Sequence, residues 1–272
     1  MARTESTNPA LTRGPFAQAG RPVGFDRPQY GPSTTPGLDP VEQAYYGPSA
    51  TSRDTGRMTV EDVVVRTAVL LATAVVTGAA TWFLGLPALA LPAAIVGLVL
   101  GLVISFKQIT NPVAIISYAA IQGVFLGGIS YLFSGGNQTL VIQAVVGTSA
   151  VAAAMLVMYR SGRIRVTPQF TKMVIAGLMG FLALVVVNLV ASFFIDGGLG
   201  LRDGGPLAIG FSLLAIGLAA MTLVLDFDFI AKGAEQGVPE RYGWYAAFGL
   251  MVTLVWLYVE ILRLLSYFTG RE

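Results

Sequence analysis

Residues 172 to 194 read KMVIAGLMGFLALVVVNLVASFF, an apolar run whose one charged residue, Lys172, stands at its start. A helix needs about 20 apolar residues to cross the hydrocarbon core of a bilayer, and this run is long enough. Over the whole chain 54% of residues are hydrophobic and 12% are charged, whereas a soluble domain has about 25% charged residues. The chain is therefore predicted to be an integral membrane protein.

This run is one of a series of similar apolar segments separated by short joints that contain Gly, Asn and Pro. Backbone groups in lipid must satisfy their hydrogen bonds within the protein, so such segments form helices. We predict an all-α, seven-transmembrane-helix bundle within residues 58–272. Its spans are residues 63–84, 88–106, 112–133, 140–158, 172–194, 206–230 and 242–268.

Residues 1–57 are rich in Pro, Gly, Ser and Thr and have no sustained apolar face, which predicts a disordered tail. Basic residues are concentrated in every second connection between the spans. By the positive-inside rule this indicates that the tail is cytoplasmic and the C-terminus outside. We expect a multi-pass protein of the cell (inner or plasma) membrane. The basic residues on the predicted cytoplasmic side are Lys107, Arg160, Arg163, Arg165, Lys172, Lys232 and Arg241.

The chain contains no histidine and no cysteine. This composition excludes His-based triads, HExxH metal sites and thiolate nucleophiles. The net charge of +2 is small and does not indicate nucleic-acid binding. Asp226 and Glu260 could imitate an aspartyl protease dyad, but the GxGD-type signature is missing. No catalytic residue and no cofactor is predicted, and we expect that the protein is not an enzyme.

Two acids lie at the end of the sixth apolar segment, in LVLDFDFIAK (residues 223–232). Asp226 and Asp228 are two residues apart, which places them about 200° apart around a helix, so they cannot face the same partner. Asp228 has Lys232 four residues later, which predicts an ion pair at the membrane edge. Asp226 lies deeper, so its partner comes from another helix or it keeps its proton. An acid inside a membrane span is a functional candidate.

A third acid, Glu260, lies in the last segment, LVWLYVEILRLLSYF (residues 254–268). Arg263 follows three residues later on the same helix face, so Glu260 is either neutralised within the helix or part of a functional site. Arg66, before the first span, is predicted to snorkel to the interface and pair with Glu61 or Asp62.

Small residues recur at a spacing of four within two segments. Gly97 and Gly101 lie in GLVLG, and Gly123 and Gly127 lie in GVFLG. In lipid, such positions allow helix backbones to approach closely. We interpret both pairs as helix-packing positions.

Three stretches together resemble a known family: RMTVEDVVVRTAVLL (57–71), NPVAIISYAAIQGVFLGGISYLF (111–133) and LDFDFIAKGAEQGVPERYGWYAAFGLMVTLVWLYVEILRLL (225–265). Over about residues 58 to 268 the chain resembles the Bax inhibitor-1 family in its bacterial, YccA-like branch. The resemblance implies a seven-helix membrane protein. Some members of the family leak calcium through a central pore, gated by two acids that share a proton between the sixth and seventh helices.

By this resemblance the first gate acid falls on Asp226 and the second on Glu260 of LYVEILRLL, where family members carry an LYLDF-like stretch. The chain departs from the family in having Glu and a longer connection between the acids. If the seventh helix starts at Tyr242, Glu260 lies about 27 Å along it. The two acids then meet only if the spanning part begins near Leu250.

The resemblance predicts a pH-sensitive calcium (cation) leak. A carboxylate pair would titrate as a unit and offer oxygen ligands for weak, transient calcium binding by Asp226 and Glu260. The alternative is a regulatory protein that interacts with a membrane-anchored ATP-dependent protease, with residues 1–57 as the handle.

Overall fold

The computed structural model describes residues 56–195 and 197–269. Seven helices in this part of the chain are long and apolar enough to cross a membrane. They are α1 (Val60–Phe83), α2 (Ala90–Lys107), α3 (Pro112–Ser134), α4 (Gln138–Arg160), α5 (Pro168–Ala191), α6 (Pro206–Glu235) and α7 (Tyr242–Thr269), with one 3-10 turn (Pro87–Leu89) before α2.

The predicted all-α bundle of seven membrane-spanning helices is confirmed. The helix ends lie within a few residues of the predicted ones, and the largest difference is α6, which continues to Glu235 rather than ending at 230. Residues 1–55 of the predicted tail lie outside the described residues.

Helix starts in this chain follow local sequence signals. Thr59 caps α1 in a reciprocal capping box with Asp62, whose backbone N–H donates a 3.0 Å hydrogen bond to Thr59 Oγ1. Three other helices begin with proline, whose fixed φ suits the first helical position. The side-chain caps of α3, α4 and α5 are Asn111, Asn137 and Thr167.

Short connections make consecutive helices run in opposite directions across the bundle. We call the end at which α1 begins the proximal end and the end at which α1 finishes the distal end. The central helix of the bundle is α7, which packs against α1, α3, α4 and α6. Its buried side chains include Met251, Leu257 and Leu262. Charged groups carried by α7 are therefore held inside the bundle.

Two glycines of α3 allow a close approach of α1. A Cβ at Gly123 would collide with the backbone of Ala74, and one at Gly127 would collide with the carbonyl of Gly78. The helix backbones are thus in direct contact, as expected for small residues in lipid.

The other predicted glycine pair faces α3 from α2. A Cβ at Gly97 would make ordinary van der Waals contact with Gln122, and one at Gly101 would lie tightly, 3.1 Å, against the Tyr118 ring. The packing interpretation of both glycine pairs is confirmed.

Candidate functional site

The centre of the candidate site is a hydrogen bond between α6 and α7. Thr253 Oγ1 donates to Asp226 Oδ2 at 2.6 Å. Asp226 lies nine residues before the end of α6 at Glu235, and Thr253 lies eleven residues after the start of α7 at Tyr242. Because the two helices are antiparallel, these positions lie at similar depth. Asp226 is partly buried and Thr253 is buried.

Asp226 has a neutral partner. The ion pairs of the described residues involve Glu240, Asp228 and Glu260, and none includes Asp226. A carboxylate in a membrane span without a cation is costly unless it is hydrated, hydrogen-bonded or protonated. The charge of Asp226 therefore depends on one hydroxyl and on its own proton.

Glu260 lies in a different environment. Its Oε1 accepts a 2.6 Å hydrogen bond from Arg263 Nη1, and both residues are buried, with exposures of 3% and 8%. Arg263 also lies over the ring of Phe133, 5.6 Å from its centroid. The intrahelical pair, one of the two predicted alternatives for Glu260, is present. Glu260 Oε2 is buried and has no hydrogen-bond partner among the described residues.

The structure does not bring Asp226 and Glu260 together. Asp226 contacts α7 at Thr253, and Glu260 lies seven residues further along α7 on nearly the same face. Seven residues rise about 10 Å in a helix. Since α7 is a continuous helix from Tyr242, Glu260 lies toward the distal end, and the two carboxyl groups have separate partners.

Asp228 forms the predicted ion pair. Its Oδ2 lies 2.6 Å from Lys232 Nζ, one turn later on α6. The Tyr159 hydroxyl of α4 is 3.4 Å from the other carboxylate oxygen. The prediction of an i,i+4 pair for Asp228 is confirmed. Of the three candidate acids, Asp226 is therefore the one without an ion pair among the described residues.

The predicted partner of Arg66 was wrong. Arg66 pairs with Glu240 in the connection between α6 and α7, and it also donates to the Glu240 backbone carbonyl. The carboxylate of Asp62 instead accepts hydrogen bonds from Thr59 at the start of α1. Arg66 lies over the Trp244 ring, 5.4 Å from its centroid. It therefore ties α1 to the start of α7.

Arg202, in the loop before α6, is a second cation that interacts electrostatically with Glu260. Burial, followed by the like charge of Arg263, holds the pKa of the Arg202 guanidinium below its ordinary value, and Glu260 acts in the opposite direction. A guanidinium nevertheless stays protonated in proteins. Glu260 is thus paired with Arg263 and also attracts the exposed Arg202 side chain electrostatically.

The acids do not form a closed metal site. Within residues 56–195 and 197–269, no group of three or more acidic, histidine or cysteine side chains could hold a metal ion. Calcium prefers six to eight oxygen ligands. Asp226 and Glu260 each offer one carboxyl group at separate positions, so any calcium held there needs water and backbone carbonyls.

Sequence reasoning missed Thr253 because it considered charged residues alone. The signal that could have found it is its position seven residues before Glu260 in FGLMVTLVW, a polar residue on nearly the same face of an apolar helix. Glu240, the partner of Arg66, is 174 residues away in sequence. No local pattern could predict that pair.

The comparison with known families extends over almost the whole chain. Residues 8–270 match the family model described as Bax inhibitor 1 like. The chain belongs to this family. The match includes all seven helices and begins well before α1, within the segment predicted to be a tail. No curated relative matches the chain. Family membership and seven apolar helices together identify a multi-pass membrane protein.

Proposed function

We propose that this Bax inhibitor 1 like protein is a pH-sensitive calcium (cation) leak channel in which Asp226 is the proton-responsive residue. The observation that carries the proposal is the hydrogen bond between Thr253 and Asp226 across the α6–α7 contact. An acid within a membrane span marks an ion or proton pathway by default. Of the two acids in the LDFD stretch of α6, Asp226 and Asp228, Asp226 is the one without an ion pair among the described residues.

Protonation of Asp226 changes the hydrogen-bonding capacity and the charge that α6 offers to α7. The ionised carboxylate can only accept hydrogen bonds, as it does from the Thr253 hydroxyl, whereas the protonated acid is neutral and can also donate one. A one-proton change therefore alters the attraction between two packed helices. Such a change shifts the balance between conformations only if the conformations bind the proton differently.

Glu260 has a different part in this proposal. It lies about 10 Å beyond Thr253 along α7 and is held by Arg263. We propose that the two carboxyl groups act in series, with Asp226 as the sensor and Glu260 as a second, weak oxygen ligand for a passing cation. Its unpartnered Oε2 supports this role. The concentration of basic residues in the connections at the proximal end supports a cytoplasmic location of that end.

The test is calcium flux into proteoliposomes between about pH 5 and 8, the range in which a perturbed carboxyl group can switch. We expect the intact protein to leak calcium with a pH-dependent rate and Asp226→Asn to lose that dependence. The matched control is Asp228→Asn, two residues away, which is expected to keep it. Glu260→Gln is expected to change the rate and keep the pH dependence.

Absence of flux at every pH, or flux whose pH dependence survives Asp226→Asn, would contradict the channel proposal. That result would favour the regulatory alternative, an interaction with a membrane-anchored ATP-dependent protease through the segment 1–57. Removal of that segment separates the two roles, because the leak resides in the helices and the protease contact resides in the tail.

A further inference from the structure

A large apolar cavity lies on the side of α7 formed by Leu254, Val255 and Tyr258. It has a volume of about 660 Å³ and is bounded by α1, α3, α4 and α7. Across it, α1 and α4 face each other without packing together in the described part of the chain. The cavity therefore opens sideways between two membrane-spanning helices.

The depth of the cavity matches one leaflet of a bilayer. Its lining on α1 runs from Phe83 at the distal end to Leu71. The two residues are twelve positions apart, which corresponds to about 18 Å of helix. The hydrocarbon core of a bilayer is about 30 Å thick, so one leaflet contributes about half of this. The cavity thus reaches from the distal edge of the membrane to about its midplane.

The hydroxyl groups on the cavity wall already have partners inside the protein. Ser130 and Tyr258 share a 2.7 Å hydrogen bond. Thr148 and Ser149 donate to backbone carbonyls one turn earlier on α4, at 2.7 and 2.9 Å. A buried water needs two to four polar partners, and these groups offer fewer hydrogen bonds than free hydroxyls would because each bond already uses one hydroxyl donor. The wall is suited to hydrocarbon rather than to water or an ion.

The distal end of the cavity has a different chemistry. Gln138, the first residue of α4, and Trp82, near the end of α1, both line it at the distal end. An amphipathic Trp ring at the end of a membrane helix is typical of the headgroup level. The cavity is therefore polar at its distal end and apolar along the rest of its length, as a phospholipid is polar at its headgroup and apolar along its acyl chains.

We propose that this cavity binds one acyl chain of a phospholipid from the leaflet at the distal end, with the headgroup beside Gln138 and Trp82. Lipid tails and apolar side chains are equally hydrophobic, so the binding energy comes from packing contacts that an empty cavity would forfeit. The site is separate from the Asp226 carboxyl group and does not depend on the channel proposal.

The experiment uses the full chain in proteoliposomes that contain phosphatidylcholine with a photoactivatable diazirine at the end of one acyl chain. After illumination, mass spectrometry maps the adducts. We expect adducts on Leu71 and Leu254, which line the deep part of the cavity and are only partly exposed. Bulk lipid reaches the exposed faces of α5 in every variant, so the adduct yield on α5 serves as an internal standard.

Cavity filling supplies the control. Val145→Trp places a large ring in the cavity and is expected to lower the adducts on Leu71 and Leu254 severalfold. Val186→Trp on α5 is the matched variant, since Val145 and Val186 are 48% and 49% exposed and Val186 does not line this cavity. Ser149→Phe fills the same space and replaces Val145→Trp if that variant does not fold.

Two results would overturn the proposal. One is a wild-type protein without adducts on Leu71 and Leu254. A photoactivatable residue at position 145 would then show whether a second copy of the chain occupies the cavity instead. The other is equal adduct yields at these residues in the cavity-filling variants and in Val186→Trp.

Discussion

The Thr253 hydroxyl of α7 holds the Asp226 carboxylate of α6 at 2.6 Å, and Glu260, seven residues further along α7, is held by Arg263 instead. One acid therefore stands at the α6–α7 contact where a pair was predicted. A pair within a low-dielectric site titrates as a coupled unit, whereas a single acid titrates with one proton. This difference gives the proposed sensor a measurable signature.

Removal of the Thr253 hydroxyl should move the pH response. In Thr253→Val the shape of the side chain is kept but the hydrogen bond that favours the ionised form of Asp226 is lost, so the pH dependence of flux should shift to higher pH. Thr253→Ser keeps a hydroxyl and is the matched control. Calcium flux in proteoliposomes measures both. An identical pH profile in Thr253→Val and the wild type would show that this hydrogen bond has no part in sensing.

The sequence predicted the membrane architecture well because one strong physical constraint determines it. Apolar length and internal hydrogen bonding dictate seven helices, and the Asp228–Lys232 pair follows from a spacing of four residues. The partners of Asp226 and Arg66 come from elements far away in sequence. Which helix face meets which neighbour depends on three-dimensional packing, and no periodicity contains that information.

The Glu260–Arg263 pair should stabilise the protein only as a pair. Breaking a buried ion pair by removing one partner costs about 3–5 kcal/mol, whereas replacing both partners with neutral residues costs little. We expect Glu260→Gln to lower the unfolding free energy by about this amount, because Arg263 is left buried without its carboxylate. The measurement is reversible unfolding in detergent micelles.

The double variant Glu260→Gln/Arg263→Met completes this cycle. It should be more stable than Glu260→Gln alone, since no uncompensated charge remains inside the bundle. The second single variant is Arg263→Met. If the double variant loses as much unfolding free energy as the two single variants added together, the residues act independently, and the ion pair does not explain their burial.

Loss of the Arg66 side chain should lower the stability of the protein more than loss of the charge of Glu240. The Glu240 side chain is 49% exposed, whereas that of Arg66 is 12% exposed. An exposed ion pair contributes about 0–1 kcal/mol, so Glu240→Gln should have a small effect on stability.

Arg66→Ala should cost about 2 kcal/mol, because it also removes the stacking on Trp244 and the hydrogen bond to the Glu240 carbonyl. Arg163→Ala, at an exposed position of the α4–α5 connection, is the control for loss of a positive charge. Thermal unfolding in detergent ranks the variants. Equal losses for Arg66→Ala and Arg163→Ala would show that the Arg66 contacts do not stabilise the fold.

The close contact of α1 with α3 should tolerate no side chain at Gly127. A Cβ there would collide with the carbonyl of Gly78, so Gly127→Ala must separate two helix backbones, and overpacking of this kind costs about 1–3 kcal/mol. Gly180 of α5 has open space around its Cα, and Gly180→Ala should be neutral or stabilising by up to about 1 kcal/mol, the difference in helix propensity. Unfolding of both variants in the same detergent compares the two sites. A loss of stability in Gly180→Ala equal to that in Gly127→Ala would mean that the glycines act through the helix backbone and not through the α1–α3 contact.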